Sequence, residues 1–229
     1  MATFLVCHGA WSAGWAWKKV RPLLRAAGHE VFTPTYTGLG ERAHQASPTV
    51  DLETHIKDVL GVIECEGLDD ITLLGHSYGG MVVTGVADRI PDRIKRVVYL
   101  DAWLPSNGES NASLMHFLPA QDVKDFETMT KDGFVIPTWV KPDQAPPHDV
   151  PHPLKTFTDP IVLKNEAARK VPVTYILFVR KGTKPENDEF YSQYERAKTR
   201  GIQTLILTSE HNAEWTAPRE LVRMLVQFH

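Results

Sequence analysis

Ser77 stands in the run Gly75-His76-Ser77-Tyr78-Gly79-Gly80-Met81, directly after the apolar stretch Ile71-Thr72-Leu73-Leu74 and directly before a helical pattern. A Gly-x-Ser-x-Gly pattern alone recurs by chance, but at a strand-to-helix junction it builds a sharp turn that presents the serine hydroxyl. The glycines admit the close backbone approach such a turn needs. The helix that follows aims its N-terminal dipole and free N–H groups at developing negative charge. A serine hydroxyl is a poor nucleophile until a base takes its proton, so this reading requires a histidine. Of the ten histidines, His211 is the one that follows the last apolar strand pattern, Leu205-Ile206-Leu207, and precedes the last helix. A loop there lies at the carboxyl edge of a parallel sheet, the same edge as Ser77.

A third element of the same chemistry is His8-Gly9-Ala10-Trp11, which follows the first strand pattern. A loop at this place lies beside the nucleophile turn, so the backbone N–H groups of Ala10 and Tyr78 form a candidate oxyanion hole. His8 is expected to organise the loop by hydrogen bonding rather than to act as a base.

These residues need a scaffold, and the rest of the chain supplies one. Short β-branched runs alternate with helical patterns, the mark of an α/β fold with a parallel sheet and crossover helices. The strands fall at Phe4 to Cys7, Glu30 to Thr33, Ile71 to Leu74, Arg96 to Leu100, Val173 to Val179 and Thr204 to Leu207. Their near-continuous apolar character suits a sheet covered on both faces. Leu52, Ile56, Val59, Leu60 and Ile63 share one helix face behind an Asp51 cap. Leu221, Met224, Leu225 and Phe228 share another, with Thr216 as its expected cap and Pro218 in its first turn.

The alternation breaks between Trp103 and Ala167, where nine prolines interrupt mixed sequence. About 60 residues is too long for a structureless connection and reads as a cap over one end of the sheet. The chain is therefore expected to be one domain, with its core in residues 1–102 and 168–229 and the cap in about 103–167.

On these residues the chain resembles the α/β-hydrolase superfamily. It is most similar to plant methyl-ester esterases, salicylate-binding esterases, hydroxynitrile lyases and their bacterial esterase relatives. Trp15, Trp17, Pro22-Leu23-Leu24 and Ala27-Gly28-His29 add weaker support. The resemblance implies an α/β-hydrolase fold of about six mostly parallel strands, with a cap inserted after the strand that follows the nucleophile helix. It also implies a serine-histidine-acid triad that needs no cofactor and no metal.

The resemblance fails at one member of that triad. Plant relatives carry the acid just after the penultimate strand, where this chain reads Arg180-Lys181-Gly182-Thr183-Lys184-Pro185, with Lys181 at the acid position. A lysine cannot hold an imidazolium. The best substitute is Asp101, which ends the strand after the nucleophile helix, and other branches of the superfamily take their acid from that strand. Asp188, Glu186 and Glu210 remain as alternatives.

With a net charge of −3, the 229-residue chain offers no broad positive field for nucleic acid or an anionic membrane. No stretch approaches the roughly 20 apolar residues of a membrane span. No secretion signal is visible at MATFLVCHGAW, and Cys7 and Cys65 make no disulfide framework, so a cytoplasmic protein is expected. The expected partner is a small-molecule ester, and the oligomeric state is open. His148 and His152 have the spacing of metal ligands on a helix, yet Pro146, Pro147, Pro151 and Pro153 forbid that helix. Gly38-Leu39-Gly40 lacks the third glycine of a dinucleotide loop. Trp11, Trp103, Phe117 and Trp139 are the candidates for the substrate pocket.

The leading function is hydrolysis of a small carboxylic ester, a lactone or a related acyl compound. One rival is cyanohydrin lyase chemistry, in which related enzymes commonly carry a lysine after the histidine, where this chain has Asn212. Another is a ligand-binding homologue that turns over slowly or not at all.

Overall fold

The first strand, β1 (Thr3–Cys7), is apolar and buried from Phe4 onward. It leads through α1 (Val20–Ala26) to β2 (Glu30–Phe32), then through α2 (Leu52–Cys65) to β3 (Ile71–His76). Helix α3 (Gly79–Arg89) returns the chain to β4 (Ile94–Leu100). The computed structural model describes residues 1–117 and 120–228, except for the side chains of Phe117 and Ala120.

Between β4 and the next strand of the main sheet lie α4 (Asn111–Leu114), α5 (Ala120–Met129), β5 (Thr130–Lys131), β6 (Phe134–Val135), β7 (His152–Pro153) and α6 (Lys155–Thr158). The chain then runs through β8 (Val173–Val179), α7 (Tyr191–Thr199), β9 (Gln203–Thr208), α8 (Ala213–Thr216) and α9 (Pro218–Leu225).

The main sheet has the order β2-β1-β3-β4-β8-β9, and every pairing in it is parallel. Side chains alternate between its faces. Leu5, Leu73, Val97, Tyr99 and Leu177 pack on one side with Ile56 and Val59 of α2 and Val82 and Val86 of α3. Phe4, Val6, Val98, Ile176 and Phe178 pack on the other with Leu24 of α1 and Leu221 and Leu225 of α9. Helices thus cover both faces, as the apolar strands require. The exception is the edge strand β9, where Ile206 is 42% exposed.

Asp51 caps α2 as expected, its Oδ1 accepting from Thr54 N at 2.8 Å. Thr216 does not cap α9. It ends the short helix α8, and its hydroxyl donates back to the Asn212 carbonyl at 3.1 Å, while Ala217 takes the cap position of α9.

The insert between β4 and β8 holds more order than mixed helical and irregular sequence suggests. Strands β5, β6 and β7 form a small antiparallel sheet in that order. Its first hairpin turns at Asp132 and Gly133, whose φ values of 51° and 81° are the positive pair a tight hairpin demands. The insert is tied back to the core where Asp88 of α3 accepts from the backbone N–H groups of Lys164 and Asn165 at 3.0–3.1 Å. Among the described residues no helix is long and apolar enough to cross a membrane.

Candidate active site

Ser77 has φ 53°, a left-handed conformation that a side-chain-bearing residue holds only when its surroundings over-determine it. Those surroundings are backbone. Ser77 N donates to Leu100 O at 3.3 Å, and Ser77 O accepts from Gly80 N and Trp103 N at 3.1 and 3.2 Å. A Cβ on Gly79 would lie 2.0 Å from Cys7 O, and one on Gly80 would lie 2.0 Å from Trp103 O. Both positions therefore admit only glycine, which lets α3 start hard against β1 and β4 with Ser77 at its tip.

His211 lies in the loop after β9, anchored where Ser209 N donates to Val179 O at 3.0 Å. Its Nδ1 is 2.7 Å from Asp101 Oδ2. Its ring stacks on Phe190, with 5.1 Å between centroids and 1° between planes, and lies 4.7 Å from the His76 ring. The His211 carbonyl accepts from His76 Nε2 at 2.9 Å, which fixes the loop from the nucleophile strand. With Nδ1 committed to the carboxylate, Nε2 is the nitrogen left for chemistry.

Asp101 follows β4 with φ 48° and is 1% exposed. Its Oδ1 accepts from Phe178 N at 3.1 Å, so both oxygens are engaged. Burial pushes the carboxyl up to about 8, opposed by the Phe178 hydrogen bond. Burial also pushes His211 down. Both directions follow from the cost of charge in a dry site.

The other carboxylates that the sequence left open make no hydrogen bond or ion pair with His211 among the described residues, although Asp188 lines a small cavity beside it. Asp188 Oδ1 accepts from Phe190 N at 3.0 Å, Glu210 pairs with Arg180 at 2.8 Å, and Glu186 is exposed. Lys181 is exposed in the turn after β8.

Ser77 and His211 line one cavity of about 600 Å³ with Gly9, Ala10, Trp11 and Trp139. A Cβ on Gly9 would lie 3.4 Å from Ser77 Cβ, so the loop after β1 touches the nucleophile turn. Among the described residues, no oxygen accepts from the N–H of Ala10 or of Tyr78. His8 organises this loop as expected: it is buried, and its Nδ1 donates to Gly9 O at 2.8 Å.

Of the expected pocket residues, Trp11 and Trp139 line the cavity and pack edge to face at 5.1 Å. Trp103 does not line it. Trp103 is buried against Phe190 at 5.0 Å, with its carbonyl against Gly80, so it packs the nucleophile helix instead. The Phe117 side chain lies outside the described residues.

Two further cavity residues were not evident from sequence. His76 is the variable position inside the nucleophile motif, so the motif itself held the signal. Glu214, in the first turn of α8, is 3% exposed, its Oε2 has no hydrogen-bond partner among the described residues, and burial pushes its carboxyl up. No spacing rule marks it. Trp15 and Trp215, whose rings lie 5.7 Å apart, also line the cavity.

His148 and His152 do not meet as ligands. His148 Nδ1 donates to Asp149 O, and His152 is buried in β7.

Known proteins share this fold. The profile described as "Alpha/beta hydrolase family" matches residues 4–224. A carbendazim hydrolyzing esterase from Nocardioides sp. (strain SG-4G) is 39% identical, with 98% of each chain covered. Methylesterase 9 of Arabidopsis thaliana is 30% identical over 72% of this chain and 60% of its own. Among solved structures, an extracellular alpha/beta-hydrolase from a Paenibacillus species superposes with a TM-score of 0.79 at 25% identity, covering 99% of this chain and 98% of that one. It is described as sharing structural and functional homology with tobacco Salicylic Acid Binding Protein 2. The chain belongs to the alpha/beta hydrolase family.

Proposed function

We propose that this chain is a serine esterase that cleaves small carboxylic esters through an acyl-enzyme on Ser77. The observation that carries the reading is the His211–Asp101 contact of 2.7 Å beside a left-handed Ser77. His211 Nε2 takes the Ser77 proton as Oγ attacks the ester carbonyl. The tetrahedral oxyanion is held by the Ala10 and Tyr78 N–H groups. His211 then passes its proton to the leaving alcohol, and a water deprotonated by His211 releases the acid from Ser77. Asp101 holds the Nδ1–H tautomer and stabilises the imidazolium. Every bond made or broken in this sequence is served by groups of the chain itself.

The four tryptophans that line the cavity, Trp11, Trp15, Trp139 and Trp215, favour an ester with a flat or aromatic portion. The curated relative that is 39% identical over the full chain is named for hydrolysing carbendazim, which makes that compound the first substrate to try. The binding-only reading loses its motive, because Asp101 supplies a carboxylate where Lys181 does not. Two unpaired cysteines, Cys7 buried and Cys65 exposed, suit a reducing compartment such as the cytoplasm.

The test is turnover of a p-nitrophenyl ester series, with carbendazim alongside, by wild type, Ser77→Ala and His211→Ala. Each variant is expected to lose activity by about 10⁴- to 10⁶-fold while remaining folded. A folded Ser77→Ala protein with wild-type turnover would overturn the reading.

A further inference from the structure

Trp11 follows the proposed oxyanion donor Ala10 and has φ 60°. A bulky residue holds that conformation only under external constraint. The constraint comes from the cap. Trp11 N donates to His152 Nδ1 at 2.9 Å, Trp11 O accepts from Val150 N at 3.0 Å, and the indole Nε1 donates to Val135 O at 2.9 Å. Val135 and His152 are register partners across β6 and β7, so one small sheet grips one residue of the loop.

The chemistry of His152 is fixed by this contact. A backbone N–H can only donate, so Nδ1 is the bare nitrogen and the proton sits on Nε2. The ring is fully buried against Phe157 at 4.6 Å and Tyr78 at 4.9 Å. Burial, with His55 and His8 nearby, drives its pKa well below the ordinary value, so Nδ1 stays an acceptor across neutral pH. Nε2 has no hydrogen-bond partner among the described residues. An apolar ring would fill the space without stranding that donor, so what histidine adds here is the Nδ1 acceptor for Trp11.

We propose that His152 is a positioning residue for ester hydrolysis: from the cap it fixes the backbone of Trp11 and thereby aims the adjoining Ala10 N–H at the oxyanion. The inference rests on the reading of Ala10 as an oxyanion donor. It makes the small sheet of the insert part of the catalytic geometry.

The experiment compares His152→Phe with His152→Gln, whose side-chain oxygen can accept from Trp11 N. The readouts are kcat and KM for a p-nitrophenyl ester, inhibition by phenylboronic acid, which forms a tetrahedral adduct on an active serine, and inhibition by benzoate. His152→Phe is expected to lower kcat and to weaken phenylboronic acid by about 10- to 100-fold in parallel, since both depend on the oxyanion donors. KM and benzoate inhibition are expected to move by less than about threefold, and His152→Gln to recover most of the loss. Wild-type kcat in folded His152→Phe overturns the proposal. So does a kcat loss with boronate affinity unchanged, or a His152→Gln no better than His152→Phe. If His152→Phe does not fold, His152→Leu, which likewise offers no acceptor to Trp11 N, must show the same kcat-selective loss, and an unchanged kcat there overturns the proposal. Ser77→Ala separates the two levels: its retained activity sinks the esterase reading, whereas an inactive Ser77→Ala beside an unimpaired His152→Phe sinks this inference alone.

Discussion

Asp101 Oδ2 lies 2.7 Å from His211 Nδ1 although 110 positions separate the two residues. Asp101 follows β4 and His211 follows β9, and in the sheet β8 lies between those strands. The carboxylate therefore reaches across the last residues of β8, where the Phe178 N–H holds its other oxygen at 3.1 Å. The carboxylate that meets His211 thus follows the strand beside β3, and the turn after β8 carries Lys181.

This pairing sets the pH dependence of activity. Burial holds a proton on Asp101 up to about 8 and disfavours the charged His211. A protonated Asp101 donates to Nδ1, which places the imidazole proton on Nε2 and removes the base that Ser77 needs. The pair titrates as a unit. We expect kcat/KM to rise with pH and to level off only above the ordinary histidine value. A profile already flat above pH ~6.5, the ordinary histidine value, would contradict this assignment.

The same group links stability to pH with the opposite sign. The Asp101 carboxyl moves from an ordinary 3.8 to about 8 on folding, so between those values the native state binds more protons than the unfolded chain. Stability from this group is full below the lower value and is lost as pH rises through the upper one. Asp101→Asn should lower kcat by about 10⁴-fold. Its urea midpoint, compared with wild type, should improve between pH 5 and pH 8. A difference in midpoints that does not change with pH would refute the linkage.

The backbone contacts of the nucleophile turn predict a steep steric cost. Gly79→Ala and Gly80→Ala each place a methyl 2.0 Å from a carbonyl oxygen, of Cys7 and Trp103 respectively. Each substitution should destabilise the fold by about 1–3 kcal/mol and reduce Ser77 reactivity, because the turn must open to relieve the clash. Thermal unfolding of both variants checks this, and unchanged melting temperatures with full activity would show that the turn is softer than its contacts imply.

Carboxylates outside the His211 contact should be dispensable. Asp188→Asn and Glu210→Gln are expected to retain kcat within about threefold, and Lys181→Asp should not restore the Asp101→Asn enzyme. Asp188 is bound to Phe190 N, and Glu210 is paired with Arg180. A loss of about 100-fold in Asp188→Asn would move the acid role to that residue.

Much of the scaffold was legible in the sequence because parallel strands buried on both faces must be apolar throughout. All six expected strands are present, within one or two residues of their expected ends. Ser77 and His211 were legible because a nucleophile turn and a post-strand loop leave local marks. Asp101 was legible only as the best of several carboxylates, since nothing local tells which acid crosses β8. The insert between β4 and β8 resisted reading: its strands are two residues long, too short for an alternating pattern, although Asp132-Gly133 was a hairpin signal in plain view. Trp103 was misplaced because a large apolar residue beside the site can face the cavity or the core with the same sequence signature. His152 was set aside as a metal ligand, and its contact with Trp11 spans 141 positions that no spacing rule connects.

The most direct test of the account is covalent capture of the nucleophile. The folded protein is treated with a fluorophosphonate at neutral to mildly alkaline pH, and intact mass and peptide mapping are read for wild type, Ser77→Ala and His211→Ala. The account predicts one adduct per chain, carried on Ser77, absent in Ser77→Ala and formed far more slowly in His211→Ala. Folded wild-type protein that takes up no label, or label carried on another residue, would contradict it.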